Sequence, residues 1–592
     1  MIAIELQLQQ HAGLALQAQF NIPIASQTVT INETKPEFTG DYTIVLFAWV
    51  KQLGKSPNQI GEAIGNYLLA THPNLYTAYN IVKGFLNITI ADAFWISHLA
   101  SNNGNANYGN ATKNNKKVMV EYSSPNTNKP LHLGHLRNNF LGFSTAKIYE
   151  ANGYNVIKTC IVNDRGIHIC KSMIAWQLFA NGATPESTNT KGDHFVGKYY
   201  VKFNDNLKLE IAALIAQGTP EKEAEKTAPS MQAAQAMLLK WEQGDMETLA
   251  LWRTMNTWVY LGFNETYTRI GTSFDKIYYE SNTYLLGKKF VDEGLINGVF
   301  SKKNDGSVWI DLTAEGLDEK LLLRKDGTSV YITQDIGLAE SKVKEYGIEK
   351  SIYVIGDEQN YHMQVLSKIA KKLNLPNADG IHHLSYGMIE LTTGKMKSRE
   401  GTVVDADDLL NEMEATAKET TEALGKVKDF SEAALDELYK TLSLGALKFY
   451  LLKVNPKKRM VFNPAESIDM QGFTGPFIQY TYARINSILN GNTLNNNLQI
   501  VSVLLPDEIN LIKILEAYPK YVVAACTELD PSIIANQTYN LAKNFNSFYN
   551  ALSVLKADSE EKKQLRLQIC AQVAHVIKHG LGLLGITAPQ RM

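Results

Sequence analysis

From Lys116 onward, short apolar runs alternate with longer stretches of helical periodicity, and this alternation restricts the possible folds strongly. The predicted buried strands are Val118–Tyr122, Asn155–Val162, Val308–Leu312, Val330–Ile332, Ile352–Ile355 and Leu384–Leu391. Strands that alternate with helices form a parallel sheet, because each crossover lays a helix on a sheet face. We therefore predict a multidomain α/β protein with a doubly wound, Rossmann-like sheet, which binds ligands at the strands' carboxyl ends.

A chain of 592 residues is too long for one core and predicts several domains. A helical pattern at Leu6–Phe20 and a strand pattern at Phe85–Ile90 indicate an N-terminal α+β module, and asparagine and glycine then mark a boundary. The predicted units are a module at 1–98, a linker at 99–115, the sheet domain at 116–404 with an insertion at about 185–300, and an all-α part at 405–592 whose terminal domain begins near 465.

Composition predicts a cytoplasmic protein without a membrane span. Apolar residues make up 45% of the chain and charged residues 20%, as in ordinary globular proteins. The first residues lack the pattern of a secretory signal. The four cysteines form no Cys-x-x-Cys pair, which fits reduced thiols, and we predict no metal site. The net charge of −2 excludes neither RNA nor protein partners, because basic patches act locally.

The segment 121–137 carries the clearest chemical signal. Here Glu121 ends a predicted strand, and His132, Gly134 and His135 open the following helix. Unpaired N–H groups and the helix dipole favour phosphate at such a position, and imidazoles can donate to developing phosphate charge. As an isolated string His-x-Gly-His is weak evidence, but its place between a strand and a helix strengthens it.

A second signal lies at 393–401, directly after the predicted strand that ends at Leu391. Lys395, Lys397 and Arg399 supply three cations between flanking glycines. Such a loop can close over a triphosphate and neutralise the leaving pyrophosphate. The alternative is an ordinary hairpin, but the order and distance after His132–His135 favour the functional interpretation.

Together these segments resemble the two signatures of class I aminoacyl-tRNA synthetases, in the form found in arginyl-tRNA synthetases. The Ser-Pro-Asn at 124–126 precedes a Lys-Pro at 129–130 and then the histidine motif. In the second signature Lys395 and Met396 match, whereas Ser398 stands where many synthetases have a second lysine. Arginyl enzymes commonly lack that lysine, and Lys129 occupies the position thought to substitute for it. The resemblance runs over essentially the whole chain.

The resemblance implies an arginine–tRNA ligase that needs bound tRNA for adenylate formation. The implied catalytic residues are Lys129, His132, Gly134, His135, Lys395 and Ser398, and the further ATP-binding residues are Pro125, Met396, Lys397 and Arg399. The expected substrates are Mg-ATP, L-arginine and tRNA(Arg), with no tightly bound cofactor and with the protein as a monomer.

A pocket for arginine needs carboxylates, since the guanidinium is a planar cation with five donors. Glu121 and Asp335 are the candidate carboxylates, although Asp335 could equally be an ordinary helix N-cap. The resemblance adds Ser124, Asn126, Tyr331 and Gln359 to the arginine-binding residues. It also matches Asp164 to an acidic position and puts Arg165 where many relatives have tryptophan. Lysine would leave buried acceptors unpaired, so no editing domain is expected.

Residues 470–485 and the closing segment 585–592 resemble the anticodon-binding domain of the same family. We predict tRNA contacts at Lys457, Lys458, Arg459, Tyr480 and Arg484. A basic run is often only a solvated face, and at most two of the aromatics Phe473, Phe477, Tyr480 and Tyr482 are expected to touch RNA. The resemblance also implies that the N-terminal module contacts the outer corner of tRNA.

Two alternatives stay open at this point. A synthetase for another amino acid would keep the phosphate-binding residues but would have no reason to place Glu121 and Asp335 opposite a guanidinium. A catalytically silent RNA-binding relative is disfavoured by the intact histidines and by the loop that contains Lys395.

Overall fold

The computed structural model describes residues 3–21, 25, 28–391, 404–423, 430–494 and 503–592. Its strands are β1 (Ile31–Glu33), β2 (Tyr42–Val45), β3 (Tyr76–Val82), β4 (Phe85–Ile90), β5 (Lys117–Glu121), β6 (Asn155–Val162), β7 (Lys276–Tyr279), β8 (Ser301–Lys302), β9 (Val308–Ile310), β10 (Lys320–Leu323), β11 (Lys350–Gly356), β12 (Ile381–Tyr386), β13 (Ile389–Leu391) and β14 (Met460–Phe462).

The α-helices are α1 (Ile4–Phe20), α2 (Phe47–Leu53), α3 (Pro57–Thr71), α4 (Asp92–Asn102), α5 (Leu133–Ala151), α6 (Ile167–Phe179), α7 (Pro185–Thr188), α8 (Gly192–Ala216), α9 (Glu221–Thr227), α10 (Pro229–Glu242), α11 (Met246–Ile270), α12 (Glu280–Thr283), α13 (Lys288–Ile296), α14 (Tyr331–Tyr346), α15 (Asn360–Lys372), α16 (Ala406–Ala423), α17 (Glu432–Leu452), α18 (Pro464–Ser467), α19 (Gly475–Leu489), α20 (Pro506–Glu528), α21 (Ser532–Ala551) and α22 (Glu560–Leu583). Within the described ranges, no helix combines the length and apolar character needed to cross a membrane.

A parallel sheet of five strands forms the centre of the molecule and confirms the predicted fold class. Its order is β12-β11-β5-β6-β7, and every neighbouring pair is parallel. The chain moves from β5 outward through β6 and β7, and later fills the other side through β11 and β12. The strand order therefore reverses between β5 and β11, where a doubly wound sheet opens a crevice for ligands. Apolar residues such as Val118, Val120 and Val354 are buried in this sheet.

The N-terminal module is an antiparallel sheet of order β1-β2-β4-β3 that packs against α3. The predicted strand Phe85–Ile90 is confirmed with the same bounds as β4. The module also contacts α20 at the far end of the chain. The Ile4 N–H donates to the Glu516 carboxylate at 2.8 Å, and in the following linker the Tyr108 hydroxyl donates to the Leu515 carbonyl of the same helix at 2.6 Å.

Two predicted strands of the parallel sheet are wrong. Val308–Ile310 is instead the central strand of a separate antiparallel sheet, β10-β9-β8. Val330 is the N-cap of α14, and Tyr331 and Ile332 begin that helix, whose second turn buries Ile336 against the core. Short β-branched runs indicate burial but do not identify the pairing partner.

Two further sequence predictions change in detail. The predicted insertion at about 185–300 is interrupted after α11, where Lys276–Tyr279 adds the edge strand β7 to the parallel sheet before α12 and α13 follow. The C-terminal part, predicted to be all-α, contributes β14, which pairs with β13 in parallel. The predicted single strand Leu384–Leu391 is accordingly divided into β12 and β13 on either side of Gly387.

The close packing of α5 on the sheet predicts opposite effects of one substitution at two helical glycines. A Cβ at Gly142 would lie 2.2 Å from the buried Tyr122 ring, whereas a Cβ at Gly582, in α22, meets nothing within 4 Å. Gly142→Ala should therefore destabilise the protein by about 1–3 kcal/mol through overpacking. Gly582→Ala should stabilise it by up to about 1 kcal/mol through helix propensity. Thermal unfolding should show the melting temperature falling for the first variant and unchanged or raised for the second; a rise in both would contradict this packing.

Candidate active site

A cavity of about 580 Å³ lies where the strand order reverses, at the carboxyl ends of β5 and β11. It brings together all six predicted arginine-binding residues and three predicted phosphate-binding residues. The residues of these two predicted sets that line it are Glu121, Ser124, Asn126, His132, Gly134, His135, Tyr331, Asp335 and Gln359. The order of the strands in the sheet thus brings together residues that lie more than 200 positions apart in the sequence, such as Glu121 and Gln359.

The turn after β5 is strained and is held by side chains of α5. Ser123 and Ser124 have φ values of 77° and 47°, both in the left-handed region that non-glycine residues rarely adopt. The Ser123 N–H donates to the Asn138 side-chain oxygen at 2.5 Å, and Asn139 donates to the Ser123 hydroxyl at 3.1 Å. Asn138 also donates to the Val354 carbonyl of β11 at 2.7 Å. The two asparagines therefore fix the strand-to-helix turn against the neighbouring strand.

His132 and His135 cap the N-terminus of α5 reciprocally. The Gly134 N–H donates to Nδ1 of His132 at 3.1 Å, and the His132 N–H donates to Nδ1 of His135 at 3.2 Å. The two rings lie 3.9 Å apart between centroids. Because each Nδ1 accepts a hydrogen bond, a neutral imidazole carries its proton on Nε2. Each histidine thus keeps one N–H donor that is not used in the cap.

Burial keeps both imidazoles uncharged. Burial, assisted by Lys129, lowers the pKa of His132 to about 3. Burial, with contributions from His132 and Lys129, lowers the pKa of His135 well below its ordinary value. A pair of neutral donors at a helix N-terminus can bind phosphate oxygens without exchanging protons near neutral pH.

Of the described residues, three carboxylates line the cavity, and each has a different environment. Glu121 forms a buried ion pair with Lys342, with Nζ and Oε2 2.6 Å apart. Asp335 is the fifth residue of α14 and not its N-cap, and its carboxylate lies 2.6 Å from Nε2 of His362. Burial raises the pKa of Glu280 to about 7; Arg165 opposes this shift, and Asp164 and Asp335 add to it. Glu280 is therefore the carboxylate with the least charge compensation.

Sequence reasoning missed Glu280 and Lys342. Glu280 directly follows β7, and a carboxylate at the end of a parallel strand would have been a candidate site residue. The sequence analysis did not recognise this strand, because it lies within the predicted insertion. Lys342 is fully buried on α14 and pairs across the sheet with a residue 221 positions earlier. No local pattern marks such a pairing.

Asp164 is buried beside the cavity without lining it. Its carboxylate accepts from the Ser281 N–H at 2.9 Å, the Ser281 hydroxyl at 2.7 Å and the Tyr260 hydroxyl at 3.0 Å, and so it fixes the turn that presents Glu280. Arg165 does line the cavity, with its guanidinium 3.9 Å from the Tyr284 ring centroid. A stacked cation thus occupies the position at which, by the resemblance, many relatives carry tryptophan.

Lys129 lies in a second cavity, of about 330 Å³, that shares His132 with the first. The predicted residues Lys395, Met396, Lys397, Ser398 and Arg399 lie outside the described residues. Described residues that precede and follow this segment lie at the site. Met388 and Ile389 line the larger cavity, and the Val404 carbonyl accepts from the Leu133 N–H at 3.1 Å.

The predicted RNA contacts lie on two other surfaces. Lys457, Lys458 and Arg459 are exposed. The Arg484 guanidinium stacks between Tyr480 and Tyr549, 5.0 and 5.5 Å from their ring centroids. The other aromatics have packing roles, since Tyr482 is buried while Phe473 and Phe477 contact the Tyr539 ring.

Comparisons with known proteins agree with this architecture. Residues 96–463 match the family described as tRNA synthetases class I (R), catalytic domain; residues 478–592 match the DALR anticodon binding domain; and residues 6–90 match the arginyl tRNA synthetase N terminal domain. The arginine–tRNA ligase of Bacteroides thetaiotaomicron is 53% identical over 98% of both chains, and that of Parabacteroides distasonis is 50% identical over the whole of both. Among solved structures, the arginyl-tRNA synthetase of Thermus thermophilus superposes over both whole chains with a TM-score of 0.79 at 24% identity.

The reciprocal cap predicts the protonation state of His132. With ¹⁵N-labelled histidine, NMR should show its imidazole as the neutral Nε2–H tautomer down to about pH 4, because burial lowers its pKa to about 3. The urea-unfolded chain, in which histidines titrate near ~6.5, is the control, and a His132→Gln variant assigns the signal. Since the folded pKa is the lower one, this burial also weakens folding stability as pH falls from about 6.5 toward 3. A charged ring or an Nδ1–H tautomer at pH 7 would contradict the cap.

Proposed function

The chain belongs to the class I arginyl-tRNA synthetases, and from this membership we propose how its residues divide the work of the reaction. It is an arginine–tRNA ligase. It activates L-arginine with ATP to arginyl-adenylate, releases pyrophosphate, and transfers the arginyl group to the 3′-terminal adenosine of tRNA(Arg). Such a reaction needs no covalent nucleophile from the protein, which must align reactants and stabilise phosphoryl charge.

One observation carries the assignment of roles. A single cavity has neutral imidazole donors and a helix N-terminus at one side, and carboxylates on α12 and α14 at another. The imidazole donors and the helix N-terminus are suited to bind a phosphate, and the carboxylates are suited to bind a guanidinium. Both reactants can therefore bind with their reacting groups between the two sides.

At the arginine side, Asp335 and Glu280 are the carboxylates for the guanidinium. Glu121 is already paired with Lys342, so its role is to shape the pocket floor and accept a hydrogen bond, not to supply net charge. Ser124 and Asn126 contact the substrate from the strained turn. Tyr331 and Gln359, whose side chains are exposed, contribute contacts at the rim.

At the phosphate side, His132 and His135 donate from Nε2 to the oxygens of the reacting α-phosphate. Gly134 and Pro125 allow the nucleotide to approach the backbone closely. Lys129 contacts the leaving phosphates from the adjoining cavity. For Lys395, Met396, Lys397, Ser398 and Arg399 the support is the sequence resemblance, together with the anchoring of Met388 and Val404 at the site. Mg²⁺ arrives with ATP as part of the substrate.

For tRNA, the proposed contacts are the exposed cations Lys457, Lys458 and Arg459 and the stacked pair Tyr480 and Arg484. An exposed cation is suited to phosphate, and a tyrosine stacked on arginine offers a flat surface to a splayed base. The buried Arg137 guanidinium donates to the Lys458 carbonyl at 2.9 Å, which holds the basic segment close to α5.

The same membership supports proposals on organisation. We divide the chain into the module at 1–98, the linker at 99–115, the catalytic unit at 116–404 and the helical part at 405–592, with the anticodon-binding domain from about 465. We place the enzyme in the cytoplasm, where its four free, buried cysteines would stay reduced, and expect it to act as a monomer.

Removing one imidazole tests the phosphate side. His132→Ala should lower kcat/KM for arginine- and tRNA-dependent ATP–pyrophosphate exchange by about 10²–10³-fold, the usual effect of losing one donor to a transition-state oxyanion. The exposed Lys208→Met on α8 is the control and should not differ from the wild type. Among the twenty amino acids, arginine should support the fastest exchange. Faster exchange with another amino acid, or undiminished arginylation by His132→Ala, would refute these assignments.

The carboxylate Glu280 should give arginine binding a pH dependence. Since burial raises its pKa to about 7 in the free enzyme, it must lose a proton to pair with a guanidinium. The KM for arginine should fall about tenfold between pH 6 and 8. In Glu280→Gln it should be raised and change little over this range, whereas the exposed Glu247→Gln should behave as the wild type. Identical pH profiles for the wild type and Glu280→Gln would exclude Glu280 from the arginine site.

A further inference from the structure

Helix α8, in the crossover between β6 and β7, lies directly against the loop that contains Lys129 and His132. A Cβ at Gly197 would approach the Pro130 ring to 2.7 Å, so a larger residue could not occupy this contact without a shift. Together with His194 and Lys198 of α8, Lys129 and His132 line the smaller cavity. The crossover helix is therefore a wall of the proposed phosphate site.

His194 and Lys191 connect this wall to the start of α16. Nε2 of His194 lies 3.3 Å from the Asp405 carboxylate and 3.2 Å from that of Asp407. Nζ of Lys191 lies 2.6 Å from the Asp407 carboxylate and 3.2 Å from that of the fully buried Asp193. These are largely shielded charges, so the contacts are stronger than those of an ordinary surface pair.

The segment held in this way is paired with the first signature. The Leu133 N–H donates to the Val404 carbonyl at 3.1 Å, and the Ala406 N–H donates to the Leu131 carbonyl at 3.0 Å. These bonds make His132 and Asp405 partners in an antiparallel bridge. A displacement of Asp405 would therefore move the backbone whose N–H groups form the imidazole cap.

A metal site is the other interpretation of this cluster, and the charges argue against it. Ligand atoms of Asp193, His194 and Asp407 lie within 4.8 Å of one another. However, the Lys191 ammonium already contacts both carboxylates and also donates to the Thr266 hydroxyl at 2.6 Å. A second cation would have to displace it.

We propose that His194 is a positioning residue for ATP: by holding Asp405 and Asp407 against α8, it fixes the backbone of the His132 loop. This role rests on the proposed function and adds a residue of the crossover helix to the enzyme's phosphate chemistry. Because the contact reaches His132 and not the carboxylates of the arginine pocket, its loss affects ATP and leaves arginine binding unchanged.

The electrostatic surroundings give this role a pH dependence. The close contact with the Asp407 carboxylate is the main cause that raises the pKa of His194; burial opposes it, and Asp405 adds to it. Among the described residues, the titratable and charged groups around His194 are Asp193, Lys191, Lys198 and Tyr200 on or next to α8, Asp405, Asp407 and Asp408 before and within α16, Arg269 on α11, and Lys129 and His132 across the cavity. Since the folded pKa is the higher one, the charged contact is complete at low pH and is lost as pH rises through that pKa.

The test compares His194→Ala and His194→Gln with Lys208→Met, a control on the same helix, in arginine- and tRNA-dependent ATP–pyrophosphate exchange. His194→Ala should raise the KM for ATP about five- to twentyfold while the KM for arginine stays within about twofold of the wild type. His194→Gln retains a hydrogen-bond donor without a titrating charge. Near neutral pH, the KM of His194→Gln for ATP should lie between those of His194→Ala and Lys208→Met. In the wild type this KM should rise at alkaline pH, whereas in His194→Gln it should not.

A KM for ATP equal to that of Lys208→Met, or an equal rise in the KM for arginine, would overturn the role of His194 alone. The second result would indicate general disturbance of the fold, which a parallel measurement of the melting temperature would reveal. Absence of arginine-dependent exchange in the wild type would overturn the proposed function, and this role with it.

Discussion

The reciprocal cap between His132 and His135 is the interaction on which the proposed chemistry depends. It satisfies N–H groups at the start of α5 and, in the same step, fixes the tautomer of both rings. Burial then keeps the rings neutral. A protonated pair would bind phosphate more strongly in the ground state, whereas neutral donors at fixed positions can favour the charge that develops during transfer. The cap is thus a structural device with a chemical consequence.

The cap is useful only because the surrounding backbone is held on two sides. On one side, the strained turn at Ser123 and Ser124 is stabilised by Asn138 and Asn139, which lie on α5 about one turn after His135. On the other side, the segment around Asp405 pairs with Leu131–Leu133. Strain of about 1–3 kcal/mol per residue persists only where the surroundings over-determine the conformation, and here they do. Contacts within the protein therefore hold the backbone on both sides of the cap.

How much of this the sequence could predict depends on the range of each interaction. The histidine motif and the strand before it are local, and both were predicted, as was the alternation that defines the parallel sheet. The role of Val308–Ile310 was not, because the choice between a parallel and an antiparallel partner is made by distant segments. Glu280 was missed for the same reason: its strand is identifiable only once β6 is known to be its neighbour. Lys342 gives no sequence signal, because its pairing with Glu121 exists only in three dimensions.

The buried ion pair of Glu121 and Lys342 also reduces the net negative charge that lines the pocket. If Glu121 were free, three carboxylates would face the substrate, and their mutual repulsion would strongly disfavour the empty pocket. Lys342 neutralises the first of these carboxylates, Glu121, and His362 lies against the second, Asp335. Glu280 is left with little compensation, which is why burial moves its pKa to about 7. In the proposed site, a planar guanidinium with five donors could pair with both Glu280 and Asp335, whereas a lysine ammonium is a compact point charge with three donors. In the proposed site, selectivity for arginine would then depend on how each carboxylate is compensated, and not only on how many carboxylates the pocket contains.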